Sequence, residues 1–144
     1  MENEKRVRSA GGVVYLVEDR EVKILLIKDK YYFWTLPKGQ IEKGENSLKA
    51  AIREIKEETS IDDLNYIEKV KDISYYYEKG NKKIQKSVTF YLFKSERKDI
   101  DKSKIEEKEA NYFSLVRAFK IVGYDNIKRV IQESFKIIKK YEKF

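Results

Sequence analysis

Cysteine and histidine are both absent from this sequence of 144 residues, and proline occurs once, at Pro37. Without cysteine there is neither a disulfide framework nor a thiolate metal site. Without histidine the commonest general base and zinc ligand is missing too. Any metal has to be held by oxygen, which favours magnesium, manganese or calcium. No run of about 18 apolar residues occurs, so no membrane span is expected. The charged start MENEKRVRS has no apolar segment behind it, so no signal peptide is expected and the protein is expected to be cytoplasmic.

Charge is what the sequence has in quantity. Lys and Arg number 32 against 25 Asp and Glu, a net charge of +7. That balance suits an anionic partner such as a polyphosphate, a nucleotide or RNA, with plain solubility as the alternative. The length fits one domain over residues 1–144 with a single sizeable core. No repeat, Ser/Gly linker or low-complexity block divides it.

The small and β-branched run Ser9–Val17 and the apolar run Val22–Ile27 flank the polar turn 18–21 and predict a hairpin. Residues 33–36 (FWTL) predict a short aromatic strand closed by Pro37, and residues 38–44 (KGQIEKG) a loop with two glycines. Asn46 or Ser47 can cap the helix that follows. In it Leu48, Ala51, Ile52, Ile55 and Thr59 recur at the helical period, and Glu54, Glu57 and Glu58 lie beside that stripe within an arc of about 100°. Residues 70–77 and 87–94 predict two further strands around the basic, turn-like stretch 79–86, whose Gly80–Asn81 favours a hairpin. A charged segment, 95–109, leads to a strand near 112–115 and a short helix near 116–122. An amphipathic helix from about Asp125 follows, with Ile127, Val130, Ile131, Phe135 and Ile138 on one face. This order implies a sheet covered by helices on both faces.

The acidic cluster needs an explanation. Like charges three or four apart on a helix repel by roughly 0.2–0.5 kcal/mol per pair, so Glu54–Glu57 and Glu54–Glu58 both oppose the fold unless something compensates them. Joined to the loop before it, the cluster reads Gly39, Glu45, Arg53–Glu54–Ile55, Glu57–Glu58 and Ile61. This closely resembles the Nudix box, G-x5-E-x7-R-E-U-x-E-E-x-G-U with U aliphatic. The one departure is Ser60, where the family has glycine. A left-handed turn there costs a residue with a Cβ roughly 1 kcal/mol. Ser60→Gly is therefore expected to leave turnover intact and the melting temperature raised or unchanged.

Resemblance to the Nudix family implies an α/β (α+β) fold, an α/β/α sandwich around a central mixed β-sheet. It also implies that Glu54, Glu57 and Glu58, with the carbonyl of Gly39, ligate magnesium or manganese. Hard dications want several carboxylate oxygens, and a helix delivers them from positions i, i+3 and i+4. Arg53 would pair with a box carboxylate, Glu45 being the expected partner, and orient it. A further glutamate is expected from KIEEKEANYF, with Glu106 favoured over Glu107 and Glu109 as metal ligand or general base. The implied reaction is attack of water on phosphorus in a nucleoside diphosphate linked to another group.

The stretch FWTLPKGQIEKGE further resembles diadenosine polyphosphate hydrolases, a subgroup in which Trp-x-x-Pro-Lys-Gly is typical. Lys38 would then meet a phosphate while Trp34 packs in the core. Tyr77, 16 residues beyond Ile61, would border the base. Lys83 and Lys86, in the post-box hairpin, would add cationic contacts for a long polyphosphate. The expected activity is asymmetric cleavage of diadenosine tetraphosphate to ATP and AMP by a monomer or homodimer. Two alternatives share the chemistry: removal of pyrophosphate from an RNA 5′-triphosphate end, and sanitising of damaged nucleoside triphosphates. A binding module without catalysis is disfavoured because every acid of the box is present.

Overall fold

The structure is a computed structural model that describes residues 4–105 and 109–144. Its hairpin runs from β1 (Glu4–Glu18) to β2 (Glu21–Lys28), followed by β3 (Trp34–Thr35), β4 (Lys38–Gln40) and α1 (Ser47–Thr59). The long hairpin β5 (Asn65–Lys79) and β6 (Lys82–Lys94) leads through a single 3-10 turn at Lys102–Lys104 to β7 (Ala110–Ser114), α2 (Leu115–Ile121) and α3 (Asp125–Glu142). The sheet order is β3-β2-β1-β6-β5, with β4 added to β1 and β7 to β2. Strands β1 and β6 run parallel, pairing Glu4–Tyr15 with Lys83–Lys94, while the other named strand pairs are antiparallel, so the sheet is mixed.

Side-chain alternation sorts each central strand between two apolar layers. In β1, Val13 and Tyr15 enter the larger core while Ala10 and Val14 enter the smaller one. In β2, Ile24 and Leu26 likewise oppose Leu25. The larger core is closed by Ala118 and Val122 and by Ile127, Val130, Ile131 and Ile138 of α3; the smaller is closed by Ala50, Ala51 and Ile55 of α1. Burial on both faces explains why these strands are nearly continuous apolar runs and confirms the three-layer α/β/α arrangement.

Five local readings change. Strand β1 begins at Glu4, in the charged segment, because β6 offers it a parallel ladder. Residues Lys38–Gln40 are strand rather than loop, pairing with Ser9–Gly11. The basic stretch 79–86 is not a loop: β5 and β6 continue to Lys79 and Lys82, leaving Gly80–Asn81 as the whole turn. Ile52 lies outside the apolar stripe of α1, at 37% exposed, and Ala50 is buried in its stead. The turn between β1 and β2 is also tighter than its four polar residues suggest. Asp19 and Arg20 both have positive φ, 52° and 66°, the twist-matched geometry of a two-residue hairpin.

Candidate active site

Helix α1 starts at Asn46, whose side chain accepts from the Lys49 amide at 2.8 Å. It ends at Ser60 in the left-handed conformation, φ 66°, with its N–H bonded to Lys56 O. The turn that usually takes glycine is therefore present with a serine in it. The serine has its own bond, since the Asp101 amide donates to Ser60 Oγ at 2.8 Å.

Between these caps, Arg53 is the hub. Its Nε and Nη2 donate to the two oxygens of Glu45 at 2.7 and 3.0 Å, a fork that fixes the guanidinium plane. Nη2 also donates to the Gln40 carbonyl at 3.0 Å, and Nη1 to Glu54 at 2.9 Å and Glu57 at 3.3 Å. The Glu42 amide adds a bond to Glu45. Arg53 and that amide hold the Glu45 carboxyl down at about 2. The expected partnership of Arg53 with Glu45 is thus formed, and it ties α1 to the segment after β4.

Glu54 and Glu58 converge on β4 from above. A Cβ on Gly39 would stand 2.0 Å from the Glu54 carboxyl carbon, so only glycine lets that carboxylate lie against the strand. Burial raises the Glu54 pKa, and Arg53 opposes the rise. The Lys38 amide donates to Glu58 at 2.9 Å. Glu57 sits apart from these two, 57% exposed and lining a separate depression of about 490 Å³ with Arg53, Ser60 and Arg97. Among the described residues no three acidic side chains are gathered into a ready metal cluster. Arg53 and the Lys38 amide hold them instead.

The donor set nevertheless fits a hard dication. It is carboxylate and carbonyl oxygen throughout, and Glu54 is partly desolvated and seated in a cradle open only because residue 39 lacks a Cβ. Glu106 and Glu107 lie outside the described residues. Glu109, the third candidate, pairs with Lys28 at 3.2 Å.

From Glu58 and Lys38 a cleft of about 940 Å³ extends between β5–β6, the loop after β2 and the start of α3. Lys86 and Tyr77 line it together with Tyr75. Burial lowers the Lys38 pKa, and burial with the neighbouring charges of Lys38 and Lys30 brings Lys86 down to about 8. Three ammonium groups thus share one partly desolvated cleft. Trp34 packs edge-on against Phe113 at the margin of the core.

Lys83 does not belong to this group. It pairs with Glu78, an odd number of residues from Lys86, and its ammonium lies over Tyr76, 4.6 Å from the ring centre on the opposite face of the hairpin. Strand parity alone separates it from Lys86, Tyr75 and Tyr77, so the period-2 rule was enough to exclude it once 82–86 is read as strand. Asp29, Lys30, Tyr31 and Tyr124 line the cleft and carry no motif in the sequence. For the first three the signal is the unusual concentration of charge and aromatics in DKYYF, immediately before Trp34; Tyr124 lies outside that stretch.

Comparison with known proteins agrees with this geometry. The NUDIX domain family matches residues 5–140. The asymmetrical bis(5′-nucleosyl)-tetraphosphatase of Caenorhabditis elegans is 34% identical over 122 residues, covering 82% of this chain and 86% of that protein. The crystal structure of the C. elegans Ap4A hydrolase superposes with a TM-score of 0.75 at 28% identity, covering 93% of this chain and 99% of that one. An RNA pyrophosphohydrolase of Pelagibacter ubique is 37% identical over a shorter stretch of 71 residues, 49% of this chain and 45% of that protein.

Proposed function

The chain belongs to the Nudix family of pyrophosphohydrolases, and from that membership we propose that it cleaves diadenosine tetraphosphate asymmetrically, to ATP and AMP, with a divalent cation. The observation that carries this reading is the double engagement of Lys38. Its amide holds a box carboxylate, Glu58, while its side chain lines the cleft shared by Lys86 and Tyr77. One residue thus couples the acidic rim to a cationic, aromatic channel.

Glu54, Glu57, Glu58 and the Gly39 carbonyl would hold magnesium or manganese. When bound, the ion supplies positive charge against the phosphates and acidifies water for attack on phosphorus. Arg53 keeps Glu54 and Glu57 turned toward the rim by hydrogen bonds anchored on Glu45. Lys38 and Lys86 bind phosphate oxygens and fix the chain along the cleft. Their partial desolvation strengthens each contact. Tyr77, 39% exposed, offers its ring to a base. Stacking of that kind contributes about 1–3 kcal/mol and tolerates any base. Glu106 is assigned by its position in the sequence as the further acid, ligand or general base.

The test is product analysis. With magnesium, the protein is expected to convert diadenosine tetraphosphate to ATP and AMP in equal amounts. Two equivalents of ADP, or no turnover, would refute the proposal. The likeness to an RNA pyrophosphohydrolase supports a second reading, in which pyrophosphate leaves a 5′-triphosphate RNA end. Faster release of pyrophosphate from such RNA than cleavage of the dinucleotide would favour it, and a panel of nucleoside triphosphates run alongside covers the sanitising reaction.

A further inference from the structure

A short loop between β2 and β3 lines the same cleft as Tyr75 and Tyr77 and carries an exposed aromatic ring on a backbone held by hydrogen bonds. Asp29 organises it. One carboxylate oxygen accepts from the Tyr31 and Phe33 amides at 2.9 and 3.0 Å, and the other accepts from the Tyr124 hydroxyl at 2.5 Å. The loop is closed at its base by Asp29 N to Phe33 O, at 2.8 Å. Phe33 meets Tyr124 edge-on, with ring centres 5.5 Å apart. Gly123 is pressed so closely on Phe33 that a Cβ there would be 2.8 Å from three of its atoms. The loop and the start of α3 are therefore one packed unit.

On this unit Tyr31 remains 64% exposed while lining the cleft. An exposed ring on a backbone fixed in advance of binding suits an anchor, because no loop has to be ordered when a partner arrives. Lys30 lies beside it, its ammonium 5.2 Å from the Tyr31 ring centre. Lys30 is also near enough to Lys38 and Lys86 to depress both, behind the larger effect of burial. Lys30, Lys38 and Lys86 thus share the cleft with Tyr31, Lys38 where its amide meets Glu58 and Lys30 beside the Tyr31 ring.

We propose that Tyr31 is the stacking platform for the second base of a dinucleoside polyphosphate, the base at the far end of the phosphate chain from the one bordered by Tyr77. The proposal rests on the two-nucleoside substrate proposed above. A phosphate chain that follows the cations carries its distal nucleoside past Lys30 and onto the Tyr31 ring. A single-nucleoside polyphosphate has no group to lay there. Tyr31 is thus a specificity residue and takes no part in the chemistry at phosphorus.

The test compares kcat/KM for diadenosine tetraphosphate with kcat/KM for adenosine 5′-tetraphosphate, both with magnesium. In Tyr31→Ala the ratio is expected to fall at least five-fold, through KM for the dinucleotide. In Tyr31→Phe, which keeps the ring, the parent ratio is expected to return. Tyr32→Ala removes an equally exposed neighbour that does not line the cleft, and the ratio is expected to hold. An unchanged ratio in Tyr31→Ala, or an equal fall in Tyr32→Ala, overturns the platform while leaving the two-nucleoside reading intact. A parent protein that cleaves neither compound, or only the single-nucleoside one, overturns the reading of the site on which the platform depends.

Discussion

Replacing Lys86 by methionine should make the protein more stable and a poorer enzyme. The side chain lies in the cleft with its pKa brought from 10.5 to about 8 by burial and by Lys38 and Lys30. A depressed lysine carries its penalty wherever it is protonated in the folded chain. Below pH 8 both folded and unfolded states hold the proton, and the folded state bears the whole cost. Between about 8 and 10.5 the folded state has released the proton while the unfolded state keeps it, so stability rises with pH across that window. Each pKa unit is worth about 1.36 kcal/mol, and the full displacement would amount to about 3.4 kcal/mol. Water at the open cleft screens much of this, which leaves about 1–2 kcal/mol. Methionine keeps the unbranched apolar stem and removes the charge. Urea unfolding at pH 7 should therefore show Lys86→Met more stable by about 1 kcal/mol, with the advantage shrinking toward zero by pH 10.5. On the same protein, KM for diadenosine tetraphosphate should rise about ten-fold, the equivalent of about 1.4 kcal/mol of lost phosphate contact. In the parent, KM should climb as pH passes 8. If the variant is less stable at pH 7, or binds substrate as the parent does, the picture of a desolvated phosphate-binding cation is wrong.

Three further outcomes follow from the same geometry. Gly39→Ala drives a Cβ to within 2.0 Å of the Glu54 carboxyl carbon; the carboxylate must move by an ångström or more, and kcat is expected to fall by about 10²-fold with the fold retained on circular dichroism. Glu57→Gln and Glu58→Gln, each removing a carboxylate from the rim, should cost on the order of 10²-fold or more in metal-dependent turnover while changing stability by less than about 0.5 kcal/mol; near-parent rates in both would remove the metal assignment. Ser60→Gly relieves a left-handed φ of 66° but loses the bond from the Asp101 amide. These effects are each about 1 kcal/mol and opposite in sign, so the melting temperature should shift by less than about 4 °C and turnover should be unaffected.

The acidic rim was readable because it is local. Positions 54, 57 and 58 share a helix face by geometry alone, the left-handed residue at 60 is a common way for a helix to stop, and a fork from Arg53 to Glu45 spans only about two turns of helix and its capping loop. The hairpins were readable for the same reason, as was the alternation that fills two cores from one sheet. What failed was also local in origin. Lys82, Lys83 and Lys86 look like part of a loop because charge clusters there beside Gly80, yet the ladder with β5 continues through them and gives each a face. Strand parity places Lys83 on the face away from Lys86, Tyr75 and Tyr77.

By itself the sequence determined the family, the helix that carries the acids and the arginine that orients them, since each depends on residues a few positions apart. Tertiary structure alone decided the cleft. Lys30 and Tyr31 at one strand end, Lys38 on β4, Tyr77 and Lys86 on the far hairpin and Tyr124 before α3 are separated by up to most of the chain, and no periodicity links them. They meet because β1 pairs with β6 in parallel and α3 folds back over the sheet. The low pKa of Lys86 and the placement of the Tyr31 backbone arise only from that closure, which strips water from the one and ties the other to Tyr124 through Asp29.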